Sequence, residues 1–578
     1  MLITLRTLAL GTALAFLVAC QPQAPEAPAQ DPAQRLEQLI ERYLADYWSH
    51  HPERATRAGL SAYNDRLPAL ARDDFRHQVI QLRALLDELD SLDSADLSTV
   101  DQRVDHRLLR QHARVRLVDI EVLQRWQREP RMYLPFNAFT DLLLDTDHAL
   151  DDRAEWLLAR LKQLPLLLDY GRANLDNPPQ RFTLDAIQAV EAQRPFFTEA
   201  VADLAEQVPK LADALTEAGD RAAAAIDAYL VFLRDDLLPR SDGSIAIGQP
   251  LYEIYLREIH GLEIDAETLL KTGQRYFDET LAMLEAQAER MSPGRSWQEI
   301  TEQDIRPNHP QADDLLDAYC REIQRSRAHV IEQGLATIPG PEEVRCIHSD
   351  PSQRAFSPFG TFRTPGPFTD SKIGYLILHP VPDNLSEEEQ TRFLRAHDHS
   401  WIQVIAPHEA YPGHHLQALL AQQHQRPLRK VYSTPVFTEG WGLYTEELMY
   451  ETGFFRDQDA TRLTQLRLRL WRAARVLLDA RIHTDQITVD QARHFLADHV
   501  GMTFDATAGE TNIYVYRPSY AIGYVIGYYE MMALREDYRQ LQGEDFDLKA
   551  FHDRVLRLGS IPFRDVRELL DIPLTGAN

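Results

Sequence analysis

Apolar residues recur at intervals of three and four along most of this chain. The stretches Arg35 to Ser49, Asp73 to Leu92, Val100 to Arg128, Asp151 to Asn174, Thr183 to Ala218 and Ala222 to Leu238 each carry an apolar stripe with charged residues opposite. That spacing predicts amphipathic helices laid on a core. Core packing accounts for all of these stripes, and no repeat holds its period across them. Two stretches read differently. Glu343 to Ile347 and Lys372 to Leu378 have the composition of strands, with Pro- and Gly-rich turns between Ser357 and Phe368. The expectation is a mainly α chain with a small β-sheet.

Composition narrows the partners. With 44% apolar residues over 578 positions, the chain suits a globular protein. Its net charge of −27 argues against nucleic acid, because binding phosphates needs a basic surface. At the N-terminus, Arg6 precedes an apolar run from Thr7 to Val18 that is too short to span a membrane. The run ends Leu17-Val18-Ala19-Cys20, which resembles a bacterial lipoprotein signal. Residues 1–19 are then a signal peptide and Cys20 a lipidated N-terminus. Gln21 in place of Asp points to the outer membrane, facing the periplasm. Residues 20–34, rich in Pro, Ala and Gln, read as a tether. Residues 35–300 read as a helical N-terminal region and 301–578 as a catalytic region, the whole of 35–578 forming one unit. Cys320 and Cys346 are too few for a disulfide framework and are expected to be unpaired.

The chemistry concentrates in Pro407-His408-Glu409-Ala410-Tyr411-Pro412-Gly413-His414-His415. Zinc takes neutral imidazoles, and hydrolysis on zinc needs a carboxylate beside the bound water. In the common zinc-protease motif two histidines lie four apart on one helical face. Here the second comes six or seven positions on, and a straight helix cannot bring either back to His408. Pro412-Gly413 fills the gap, so a zinc helix with a bulge at that point is expected. Farther on, Phe437-Thr438-Glu439-Gly440-Trp441-Gly442-Leu443-Tyr444-Thr445-Glu446-Glu447, with Glu439 thirty-one residues after His408, predicts a second helix opening at Thr438. Glu439 is the third candidate ligand. Glu446 and Glu447, two turns on, read as solvated or as supporting groups.

The pairing of His-Glu-x-x-Pro-Gly-His-His with Glu-Gly-Trp-Gly-Leu-Tyr resembles a large bacterial family catalogued as a domain of unknown function and grouped with the zincin metallopeptidases of the glutamate-ligand type. The resemblance runs from about residue 35 to 570 and is densest from 355 to 530. It implies a large helical zincin-like fold, a zinc site and peptidase activity. Dipeptidyl peptidases with one extra residue between their zinc histidines are a looser parallel; their Gly before the second His favours His414 over His415. Asp479-Ala480-Arg481-Ile482-His483 resembles the family's Asp-x-x-x-His segment, with Arg481 where Gly is usual. Tyr514, Pro518-Ser519-Tyr520-Ala521 and Tyr524-Val525-Ile526-Gly527 match a further family run, but Ser-Tyr replaces Gly-Gln and Val replaces Lys.

The expected site therefore holds zinc through His408, His414 and Glu439, with Glu409 as general base acting on a peptide substrate. The oxyanion needs a further donor. Tyr514 and His483 are the leading candidates, and Tyr516 and Tyr520 are the others. Asp479 is placed to orient a histidine. A strand near the zinc helix would offer a peptide an edge to join. Two other readings share these residues: an envelope lipoprotein that binds peptides or a partner without catalysis, and a zinc hydrolase of a non-peptide amide or ester.

Overall fold

Prolines decide where the predicted stripes stop and start. The structure, a computed structural model, describes residues 31–145, 147–349, 360–382 and 385–573. The signal peptide and Cys20 lie outside them. Asp31 caps the first helix, Pro32–His50, through the amide of Ala33. Proline suits a first helical turn because its missing N–H has no partner there anyway. The expected tether thus gives way to helix at Pro32 and does not run to residue 34. The stripe from Thr183 to Ala218 breaks into parts of three helices, Gln180–Gln193, Glu199–Gln207 and Ala212–Phe232. Pro195 and Pro209 fall in the breaks, since an interior proline removes a helical hydrogen bond.

The helices bury two main cores. In the larger one, Leu36, Leu82 and Leu108 from the start of the described chain pack with Trp441, Leu477 and Val525 from the last two hundred residues. The second core, with Phe139, Leu161, Ala222 and Tyr229, lies wholly within residues 67–237. The region 35–300 therefore contributes to both. At the centre of the larger core the helices Pro435–Glu451 and Gly523–Gln542 touch backbone to backbone. A Cβ on Gly440 would stand 2.5 Å from the Gly527 Cα, so the crossing requires glycine. No helix of the described residues is long and apolar enough to cross a membrane.

Three strands make one sheet: β1 (Glu343–His348), β2 (Thr361–Arg363) and β3 (Ile373–Leu378), in the order β1-β3-β2. β3 runs parallel to β1 and antiparallel to β2. Both edges of β3 are occupied, so a peptide has no edge to join there. β1 also packs beside the helix Leu315–Glu332. That packing brings Cys320 and Cys346 to a Cα–Cα distance of 6.2 Å, where they form a disulfide. The expectation of unpaired cysteines fails because the contact is tertiary and leaves no local trace.

Burial lowers several histidines of this fold, and each of them then opposes folding in acid. His112 and His260 are pressed down by burial to about 3, and His397, His483 and His552 to about 4. His552, for example, is held by the Leu335 carbonyl and the Tyr444 hydroxyl, each at 2.7 Å. The unfolded chain takes up these protons near pH 6.5, whereas the folded chain refuses them until pH 4 or below. Stability is therefore full above pH 6.5 and falls as pH drops towards 4, by more than about 1 kcal/mol for each histidine. Urea unfolding followed by circular dichroism at pH 7.5 and pH 4.5 should show a lower midpoint at the acid pH.

Candidate metal centre

The two histidines of the motif stand on two helices. The first, His399–Glu409, holds Pro407 in its last turn and stops at Glu409. Tyr411-Pro412 is a cis bond, and a second helix, His414–Ala421, begins two residues later. The expected bulged helix is thus a full break, because Pro412 has no N–H with which to continue the ladder. The turn is tight enough that a Cβ on Gly413 would fall 1.7 Å from the His408 carbonyl oxygen. The Gly413 amide donates to Pro407 at 3.0 Å, and the Trp441 indole donates to the Pro412 carbonyl at 2.9 Å.

The third donor comes from the helix Pro435–Glu451, which starts three residues before the expected Thr438 because Pro435 suits its first turn. Glu439 and Glu446 are seven residues apart, two turns on one face. The His408 ring lies across that face. Its Nε2 is 4.0 Å from Glu439 Oε2, and its Nδ1 is 2.9 Å from Glu446 Oε1. Gly442 sits beneath the ring; a Cβ there would meet His408 Cε1 at 2.6 Å. His414 Nε2 is 3.5 Å from Glu439 Oε2, and the two imidazoles meet at 89° with centroids 4.8 Å apart. His408, His414 and Glu439 each offer a donor atom within 4.8 Å of the others.

Electrostatics bind the three into a unit. Burial alone would raise the Glu439 carboxyl, but His414, His408 and the Tyr520 hydroxyl bring it down to about 2. Burial would lower His414, yet Glu439 and Glu409 lift it to about 9. Without a metal the site is therefore an imidazolium facing a carboxylate. Glu446 is fully buried and accepts from His408 Nδ1, which leaves Nε2 free to ligate. Glu409 ends its helix, half-buried, near enough to His414 to act on its charge.

The remaining sequence candidates scatter. Tyr520 joins the site: its hydroxyl donates to Glu439 Oε1. Tyr514 donates to Glu510 at 2.6 Å, and Glu510 is itself paired with Arg475. His483 donates from Nε2 to the Tyr514 carbonyl at 2.9 Å. Tyr516 donates to Asp185 at 3.0 Å and stacks on Phe182. The two tyrosine hydroxyls and Nε2 of His483 are thus engaged away from the donor trio, while the buried Nδ1 of His483 has no hydrogen-bond partner. Asp479 accepts from the Tyr252 hydroxyl at 2.6 Å and the Ser519 amide at 3.0 Å, and it orients no histidine. That role falls to Glu446. Glu447 is not solvated either; it holds Arg462 at 2.8 Å and Arg469 at 3.2 Å. His415 is fully buried, and a Cβ on Gly374 of β3 would meet its Nδ1 at 2.6 Å. Burial lowers it to about 4.

The fold is shared with a "putative lipoprotein of unknown function from Shewanella oneidensis", at a TM-score of 0.76 and 23% identity over 93% of this chain and 99% of that one. It is shared equally with a "putative lipoprotein from Colwellia psychrerythraea", at a TM-score of 0.75 and 18% identity over 94% and 99%. No curated protein matches the chain. The family described as bacterial protein of unknown function (DUF885) matches residues 52–570, and the chain belongs to that family.

Proposed function

We propose that the chain is a zinc-dependent peptidase with a zincin-like site, held at the cell envelope by a lipid anchor. The observation that carries this reading is the meeting of His408, His414 and Glu439 within 4.8 Å, with Glu446 on the far nitrogen of His408. Two imidazoles and one carboxylate with an open fourth position suit catalytic zinc, and the carboxylate behind a ligating imidazole suits it too. When bound there, zinc would bring the pKa of its water to about 7 and polarise the substrate carbonyl. The protein's own residues do the rest. The Glu409 carboxylate removes a proton from the attacking water and returns it to the nitrogen of the leaving amine. Tyr520, already beside Glu439, supplies the hydroxyl that meets the oxyanion. The test is a mixed peptide library analysed by mass spectrometry, with and without a chelator, beside elemental analysis of the protein. Chelator-sensitive cleavage and about one zinc per chain support the reading; a chain that binds no metal overturns it.

Two outcomes follow for residues outside the donor trio. Glu446→Ala frees the His408 ring to turn and should weaken zinc 10- to 100-fold, the usual cost of losing such a support; competition with a chromophoric chelator measures it. At the N-terminus, Cys20→Ser should move the protein from the membrane fraction to the soluble one. A serine variant that stays in the membrane at unchanged mass would remove the anchor from the proposal. The two structural neighbours are called lipoproteins, which favours the anchor.

A further inference from the structure

A cavity of about 610 Å³ opens beside the first histidine helix, between Trp401 on that helix and Arg467 and Trp471 on the helix Asp459–His483. Its size is that of a small-molecule site. Trp401 and Trp471 stack there with centroids 6.3 Å apart, and Val500 and Met502 extend the apolar wall. Most of its charges are already paired. Arg306 bonds Glu302, Arg392 reaches Glu388 at 3.4 Å, and Arg395 donates to the Glu302 carbonyl at 2.5 Å. Asp398 is occupied in capping its helix, accepting from the Trp401 amide at 2.8 Å. Arg467 differs from the rest. It is 9% exposed, its buried Nε has no hydrogen-bond partner, and among the described residues no carboxylate stands at ion-pair distance from it; Asp398 and Glu302 act on it only from farther off. Burial presses its pKa down to about 10, so it remains a cation at neutral pH.

A buried guanidinium without a direct hydrogen bond or ion pair is costly, and a bound anion would relieve that cost. The partner must be an anion, and planar donors favour a planar one. The aromatic wall asks for an apolar body on the same molecule. We propose that this cavity is a carboxylate subsite: Arg467 takes the carboxylate of a ligand whose apolar or aromatic body packs against Trp401 and Trp471. Its place ties it to the metal centre, an extension that rests on the peptidase reading. Trp401 and His408 share one side of a helix, seven residues or about 10 Å apart. An extended peptide covers about 3.3 Å per residue. That helical spacing is short enough for a peptide of a few residues to be the ligand on the peptidase reading, with its C-terminal carboxylate on Arg467.

Titration calorimetry of the zinc-loaded chain with 3-phenylpropionate and with 3-phenylpropanamide tests the subsite directly. The acid should bind about tenfold or more tightly than the amide, the size of a charge-assisted pair. Arg467→Met should abolish that preference, with circular dichroism of the variant checking that the fold is kept, since the Asp398 carboxyl loses a cation that acts on it. Ala506→Trp, which fills the cavity and leaves Arg467 in place, should abolish binding of both. Equal binding of acid and amide, or undiminished acid binding by Arg467→Met, overturns the proposal; the latter would put the acid on the metal. Cleavage separates the two sources of carboxylate. If peptides ending in free Phe are cut and their amides are not, and Arg467→Met raises KM for the free form, the ligand is a peptide terminus. If amidation changes nothing while Arg467 still governs acid binding, the subsite stands and takes a free acid. Arg467-dependent binding without cleavage of any peptide overturns the peptidase reading and leaves the subsite intact.

Discussion

Glu409→Gln should lower peptide turnover by about 10²-fold or more while zinc content and fold remain those of the parent. The side chain keeps its shape and loses the base, and a positioned general base contributes about 10²- to 10⁴-fold. Glu409 lies outside the donor trio, so the metal does not depend on it. It is adjacent in sequence to His408 and acts electrostatically on His414, which is why the proposal makes it the base. The measurement is cleavage of a peptide found in the library screen, run beside a zinc assay on the same preparation. A glutamine variant as fast as the parent would show that the base is another group.

The second large effect divides the paired histidines. His414→Ala should lose zinc, whereas His415→Ala should keep it and lose stability instead. His414 faces Glu439 at 3.5 Å. His415 is turned into the core beneath β3, beside Phe362 and Tyr411 at centroid distances of 6.0 and 5.3 Å. Truncating a fully buried ring leaves a cavity, a cost of about 3 kcal/mol or more. Elemental analysis and thermal unfolding of both variants separate the cases. A zinc-free His415→Ala with zinc-loaded His414→Ala would exchange their roles.

Helix periodicity and motif spacing carried much of this in the sequence itself. His408, His414 and Glu439 stand out because metal ligation restricts residue types, and the structure brings these three together. Glu446 was within reach of the same logic: at seven residues from Glu439 it had to share a helical face, and Gly442 between them marks where a ring passes close. Other features depend on tertiary placement alone. Tyr514 and Tyr520 differ in where their hydroxyls end, which no local pattern encodes. The disulfide needs β1 to dock on a helix of another segment. The break at Pro412 was legible as an irregularity, but a bulge and a full stop begin with the same missing N–H.

The helix that carries Glu439, Gly442 and Glu446 also sets the tolerance of the centre. One carboxylate would hold the metal and the other steers the imidazole beside it, and about 10 Å of rigid helix fixes the spacing between them. If that helix slides or tilts during thermal motion, both carboxylates travel together. Their spacing then does not depend on how neighbouring helices breathe. Both histidines reach the centre from other helices, His408 from His399–Glu409 and His414 from across the proline turn, and His408 has the added tether of its Nδ1 bond to Glu446. Drift in geometry should therefore fall more on His414, the arm at which a bound metal would be admitted or released.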